Sequence, residues 1–277
     1  MKKFYKIMGT IAIIFLVCGI IFTGIGFVMG GQNHTLKSNK WMTFVINPSV
    51  EKQDYTILDE FDSIDLKINS GDVVIKEGEE FAIEYALYDG AKYKVENETL
   101  SIEEADTGFI HLGFGWKSEN TYLTIYVPKD TKLNIKKLNV DMGDITIFDI
   151  DFENINISAD MGDIDLKNIE VSNLDVDADM GDVNFEGVAD GKINIEVDMG
   201  DVDLKGYLGC DIIVESDMGD VDIYTYYNSQ YYKYDIDTDM GDKEINNNGG
   251  EHMETDSNFE IKANSDMGDV TLTFADK

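Results

Sequence analysis

The tetrapeptide Asp-Met-Gly-Asp occurs seven times, starting at Asp141, Asp160, Asp179, Asp198, Asp217, Asp239 and Asp266. Successive starts are 19 residues apart as far as Asp217, then 22 and 27. A fixed period of this length marks a solenoid, in which each repeat buries its apolar face only by stacking on its neighbours.

In the unit 179–197 the apolar residues are Met180, Val183, Phe185, Val188, Ile193, Ile195 and Val197. Ile193, Ile195, Val197 and Met199 alternate at period two, as in a half-buried strand. Val202 and Leu204 fall one position out of step. In a straight strand such a slip would turn the apolar face to solvent, so the chain must bend or bulge at Gly-Asp, where glycine permits it. Each motif therefore reads as a corner. Met is expected to point inward, Gly to make the bend, and both Asp side chains to face solvent or cap the turn. Coils stacked in register lie about 4.8 Å apart with parallel pairing, so six intervals span roughly 29 Å.

Upstream of the array, period-two alternation starts near Tyr55, and Ile64–Ile68, Ser70-Gly71-Asp72 and Val73–Ile75 form a degenerate copy of the repeat. Strands are expected at 81–88, 93–95, 100–102 and 122–127, with Asp89-Gly90 and Asn97-Glu98 as turns. Gly108–Trp116 is glycine-rich and aromatic. It reads either as a loop that inserts into a partner or as a cap over the end of the core. Two insertions interrupt the later repeats. One packs Tyr224, Tyr226, Tyr227, Tyr231, Tyr232 and Tyr234 into a short span, and the other is the Gly/Asn-rich stretch 246–256. Solenoid insertions often form a binding face, which makes these tyrosines candidates for recognising glycan or protein. The alternative is a strand pair whose rings stack along the coils.

The amino terminus has its own logic. Residues 1–6 are short and basic, and 7–30 contain no charge, long enough for a transmembrane helix. A signal-peptide core is shorter and ends at a small-x-small site, so the run reads as an uncleaved anchor. Lys2, Lys3 and Lys6 place the amino terminus in the cytoplasm and the remainder outside the cell membrane. Residues 31–54 form a linker and a first strand, and 55–277 form the β-solenoid, irregular over 55–140 and regular over 141–277. The expected fold is thus all-β, a parallel β-helix or β-solenoid of about 19-residue coils behind one transmembrane helix. Cys18 lies in the anchor and Cys210 in the array, so no structural disulfide joins them, and Cys210 reads as a packed core residue.

Charge narrows the partners. The chain has 22 basic and 55 acidic residues, and every basic one is lysine. A net charge of −33 repels nucleic acid and anionic headgroups and attracts cations. Two stacked aspartates 4.8 Å apart repel by about 0.9 kcal/mol in bulk water and about 3.5 kcal/mol at an effective dielectric near 20. Something must compensate for seven such copies. Turn amides hydrogen-bonded to the carboxylates are one remedy. Divalent cations are the other, with Asp144, Asp163, Asp182, Asp201 and Asp220 as candidate ligands and Ca²⁺ as the ion. Catalytic groupings do not emerge: His34, His111 and His252 lack metal or triad spacing, and no phosphate-binding glycine loop or serine elbow is present.

The repeated Val-Asp-Met-Gly-Asp-Ile/Val units, the segment Leu123–Asp130 and the copy Ser70–Val73 together resemble the bacterial "putative adhesin" family, a β-strand-repeat domain, over residues 55–277. The resemblance implies a β-solenoid at the bacterial envelope, with some relatives linked to envelope-stress signalling. It carries over no functional residue. The expected function is non-catalytic: envelope binding, adhesion or stress sensing by a single-pass membrane protein. A Ca²⁺-binding module is the alternative, and a carbohydrate-active β-helix enzyme comes third.

Overall fold

The computed structural model describes Gly19 and residues 35–38, 42–45, 50–88, 90–104, 120–246 and 259–275. Apart from Gly19, the expected anchor 7–30 lies outside these residues, as do the glycine-rich segment 108–116, the three histidines and most of 246–256. Among the described residues no helix is long and apolar enough to cross a membrane. A separate unit contains a small antiparallel hairpin, β1 (Thr35–Ser38) with β2 (Met42–Val45).

The main unit is all-β. Its strands are β3 (Val50–Ile57), β4 (Ser63–Ile68), β5 (Asp72–Gly78), β6 (Ala82–Tyr88), β7 (Ala91–Glu96), β8 (Thr99–Glu104), β9 (Tyr122–Pro128), β10 (Lys132–Val140) and β11 (Ile145–Phe148). There follow β12 (Asp151–Met161), β13 (Ile164–Met180), β14 (Val183–Met199), β15 (Val202–Leu208), β16 (Asp211–Met218), β17 (Val221–Thr225), β18 (Tyr232–Met240), β19 (Lys243–Asn246), β20 (Phe259–Met267) and β21 (Val270–Phe274). They hydrogen-bond into one curled sheet. Each repeat contributes one stretch before its motif and one after it, so two parallel ladders run through the sheet.

The register reproduces the sequence period. Ile193 pairs with Ile212 and Met199 with Met218 before the corner, and Val183 pairs with Val202 after it. Alternation supplies the core: in β15 Val202, Leu204, Gly206 and Leu208 face inward while the residues between them face out. Inward residues from both ladders, such as Leu174 and Val176 with Ile164 and Leu166, merge into one hydrophobic cluster. Each fully buried aliphatic or aromatic side chain contributes about 1.5–3 kcal/mol. Cys210 packs within this core.

The coils do not all stack in chain order. β20 and β21 lie between β16–β17 and β18–β19, so the Asp266 corner stacks directly on the Asp217 corner and the Asp239 corner lies outermost. The opposite end repeats the arrangement: β4 and β5 lie between β8–β9 and β10–β11. There the antiparallel strands β7 on β8, and β6 and β3 beyond β9, finish the stack. The irregular spacings of 22 and 27 residues fall where the chain steps outward over one coil and then returns. The extra residues span the added height of about 4.8 Å per coil.

Candidate functional site: the motif corner and the tyrosine surface

At each corner the ladder continues without a break. The Gly181 amide donates to the Met199 carbonyl at 2.9 Å, and the Val183 amide donates to the Asp201 carbonyl at 2.9 Å. Gly181 has φ of 141°, and a Cβ built on it would overlap the carbonyl oxygen of Gly162 in the adjacent coil. Glycine is therefore required twice, for backbone conformation and for close stacking.

The second aspartate of each motif has a definite partner. Asp144 Oδ1 accepts the Asp163 amide at 3.0 Å, and Asp163 accepts the Asp182 amide at 2.9 Å. Asp182 accepts from Asp201 at 2.9 Å, Asp201 from Asp220 at 2.8 Å, and Asp220 from Asp269 at 2.7 Å. The series extends to Asp72, which accepts the Asp144 amide, and to Asp269, which accepts the Asp242 amide. A hydrogen bond to a charged acceptor is worth about 1.5–3 kcal/mol, against about 0.9 kcal/mol of repulsion per neighbouring pair in bulk water and about 3.5 kcal/mol at an effective dielectric near 20. The turn amides therefore offset much of the repulsion in the ladder, and all five candidate metal ligands serve as caps. Among the described residues no group of three or more His, Cys, Asp or Glu side chains is arranged to hold a metal ion.

The first aspartates form a second column without such bonds. Partial burial, then the charges of Asp141 and Asp179, raise the carboxyl of Asp160 above its ordinary range. Asp203 is raised in the same direction, first by burial and then by Asp222, Asp201 and Asp182.

Methionine does not point inward as the periodicity predicts. Met142, Met161, Met180, Met199, Met218, Met240 and Met267 are all exposed, six of them between 39% and 42% and Met240 at 64%. Val197 is inward, Asp198 and Met199 both face out, and Val202 is inward again. The one-residue slip is thus absorbed before glycine, where two successive residues, Asp198 and Met199, both face out. The methionines form a stripe in register along one corner of the stack.

The six tyrosines divide into two groups. Tyr232 is buried, and its hydroxyl donates to the Leu208 carbonyl at 2.5 Å and lies 2.9 Å from Thr225 Oγ1, so it is a core residue rather than a contact for a partner. Burial pushes its phenol well above the ordinary range. Tyr234 is half-buried, with its ring centroid 5.4 Å from that of Phe274. Tyr224, Tyr226 and Tyr231 are exposed, and Tyr227 is half-buried among them. A further exposed ring, Tyr207, lies 5.0 Å from Tyr226 and 5.8 Å from Tyr227. Tyr207 lies outside the insertion, yet counting one 19-residue period back from Tyr226 arrives at it. Tyr224 and Tyr226 make an edge contact at 5.5 Å, and Tyr227 meets Tyr231 at 5.4 Å. Tyr224 also lines a groove of about 500 Å³ with Lys167, Glu186, Asp203, Lys205 and Asp222. In it Lys205 pairs with Glu186 at 2.9 Å.

Glu104 was likewise not singled out from sequence. Its buried carboxylate accepts the Asn69 amide at 2.6 Å and the Ser70 amide at 3.0 Å, securing the degenerate corner.

A family described as Toastrack DUF4097 matches residues 61–277. Similar solved structures include a "putative adhesin" from Bacteroides fragilis NCTC 9343, 15% identical with a TM-score of 0.49, covering 82% of this chain and 97% of that one. A "putative cell adhesion protein" from Clostridium sporogenes ATCC 15579 is 16% identical with a TM-score of 0.39, over 82% of this chain and 100% of that one. A "putative lipid binding protein" from Parabacteroides distasonis ATCC 8503 is 12% identical with a TM-score of 0.32, over 82% and 98%. No curated protein matches the chain.

Proposed function

The chain belongs to the Toastrack DUF4097 family, and from that premise we propose that it is a single-pass bacterial membrane protein presenting a non-catalytic β-solenoid outside the cell, where it binds an envelope glycan or protein in adhesion or stress sensing. The observation that carries the binding reading is the continuous surface of Tyr207, Tyr224, Tyr226, Tyr227 and Tyr231 beside the groove. Tyrosine supplies rigid contact area at low entropic cost together with a hydroxyl for hydrogen bonding. Groove carboxylates and lysines add acceptors and donors suited to sugar hydroxyls. The uncharged run 7–30 behind three lysines supports the anchor and its orientation. The uniform repeat supports a non-catalytic role, since among the described residues no coil is set apart by convergent acid and base groups.

Full-length protein in detergent micelles, incubated with isolated cell-wall polysaccharide and separately with envelope protein extract, tests this reading. Binding to either that falls at least tenfold in a Tyr207→Ala/Tyr226→Ala variant is expected. Retention of full affinity in that variant would remove the tyrosine surface from the proposal. Protease treatment of intact cells tests the topology: digestion of the repeat domain is expected, and protection until lysis would refute it.

A further inference from the structure

The chain contains an internal comparison that separates the two halves of its motif. The corner at Asn69-Ser70-Gly71-Asp72 stacks in register with Asp141-Met142-Gly143-Asp144: the Gly71 amide donates to the Met142 carbonyl at 2.8 Å, and Asp72 Oδ1 accepts the Asp144 amide at 3.1 Å. This corner keeps the glycine and the second aspartate but has Asn and Ser where the other seven have Asp and Met. The fold therefore accommodates a small polar residue at the methionine position. Met at seven exposed corners is not required by packing, and seven thioethers in a line call for a chemical explanation.

We propose that this stripe is a binding site for a soft monovalent metal ion of the Cu(I) or Ag(I) class, held between thioether sulfurs of neighbouring coils. Thioethers select such ions, whereas Ca²⁺ takes six to eight oxygens. The spacing agrees with this chemistry. Met161 is the register partner of Met180, Met180 of Met199, Met199 of Met218, and Met267 of both Met218 and Met240. In-register strands are about 4.8 Å apart. Thioethers in adjacent rows at this spacing are within reach of one shared ion, so neighbouring methionines can hold it without moving the backbone. Three rotatable bonds per side chain supply the final adjustment.

Charge favours a cation at this corner. Neutral sulfurs leave the positive charge uncompensated, and the column of first aspartates runs beside them. At the end of the stripe Asp217, Met218, Asp239, Met240, Asp266 and Met267 line a cleft of about 510 Å³. The thiol of Cys210 is buried and is retained in both proteins compared below, so it adds equally to the uptake of each. The site stands independently of the tyrosine surface.

The test is a titration of full-length protein, methyl-¹³C-labelled at methionine and held in detergent micelles, with Ag(I), which needs no reductant. Stripe methyl resonances are expected to shift, with about three ions per chain taken up at one per thioether pair, and Ca²⁺ should leave them in place. A Met161→Leu/Met180→Leu/Met199→Leu/Met218→Leu variant keeps an apolar stripe and the same cysteines but lacks four sulfurs. Its stripe uptake should fall to about one ion, at the remaining Met267 and Met240 pair. Unmoved methyl resonances in the unsubstituted protein would overturn the proposal without reference to any variant's folding. Equal silver uptake by the two proteins would overturn it as well. A stripe that binds envelope components but leaves silver in solution is an apolar docking surface, and that result also overturns the metal site.

Discussion

Gly181 and its counterparts are the least replaceable residues of the repeat. Gly181→Ala forces a side chain into a left-handed backbone conformation and against the Gly162 carbonyl, and should cost at least about 2–4 kcal/mol in urea unfolding. Asp182 is less demanding. Asp182→Ala orphans the Asp201 amide and should cost about 1–2 kcal/mol, whereas Asp182→Asn keeps an acceptor and relieves repulsion, so it should be nearly neutral. For Asp160 the sign reverses. Its folded pKa lies above its unfolded value, so the protonated form favours folding, and that contribution is present below the unfolded value and lost as pH rises through the folded one. Asp160→Asn should therefore raise the melting temperature at pH 7, by the equivalent of about 1 kcal/mol or less, and show no gain near pH 3. An equal gain at both pH values would show that the stabilisation is not electrostatic.

Among the elements, the strands after each corner were the most legible in the sequence, because alternation at period two and a fixed repeat define both faces and the register of β13 through β17. The direction of Met180 was not legible, because period-two alternation cannot follow a chain through a corner where two successive residues, Asp179 and Met180, both turn outward. Coil order at the ends was equally hidden. The strands 211–218, 232–240 and 259–267 carry the same alternation and the same motif, so any of them matches either neighbour, and only the irregular spacings hinted at a crossing. This degeneracy has a consequence: a chain ending at Asn246 lacks the intervening coil, and β18 and β19 can pair directly with β16 and β17 in the same register. Hydrogen exchange on that truncated chain should show residues 232–246 still protected. Full exposure of that segment would show that β20 and β21 are indispensable to its pairing.

For the molecule as a whole, the sequence conveyed architecture well and the surface poorly. The aspartate ladder and Tyr207 both emerge by aligning coils at 19 residues, but which aspartate accepts an amide depends on the geometry of the corner. A net charge of −33 makes self-repulsion a property of the entire stack. Since a Debye length of about 8 Å at 0.15 M salt exceeds the coil spacing but not the length of the array, moderate salt should raise the melting temperature by screening distant coils. The central claim is that each motif divides into Gly and the second Asp, which hold the fold, and the first Asp and Met, which face outward. Its most direct test is urea unfolding of full-length protein in micelles carrying Asp179→Asn/Met180→Ser, which copies the Asn69-Ser70 corner. The predicted result is a stability within about 0.5 kcal/mol of the parent, as for an exposed surface change, and a loss greater than about 2 kcal/mol would contradict the account.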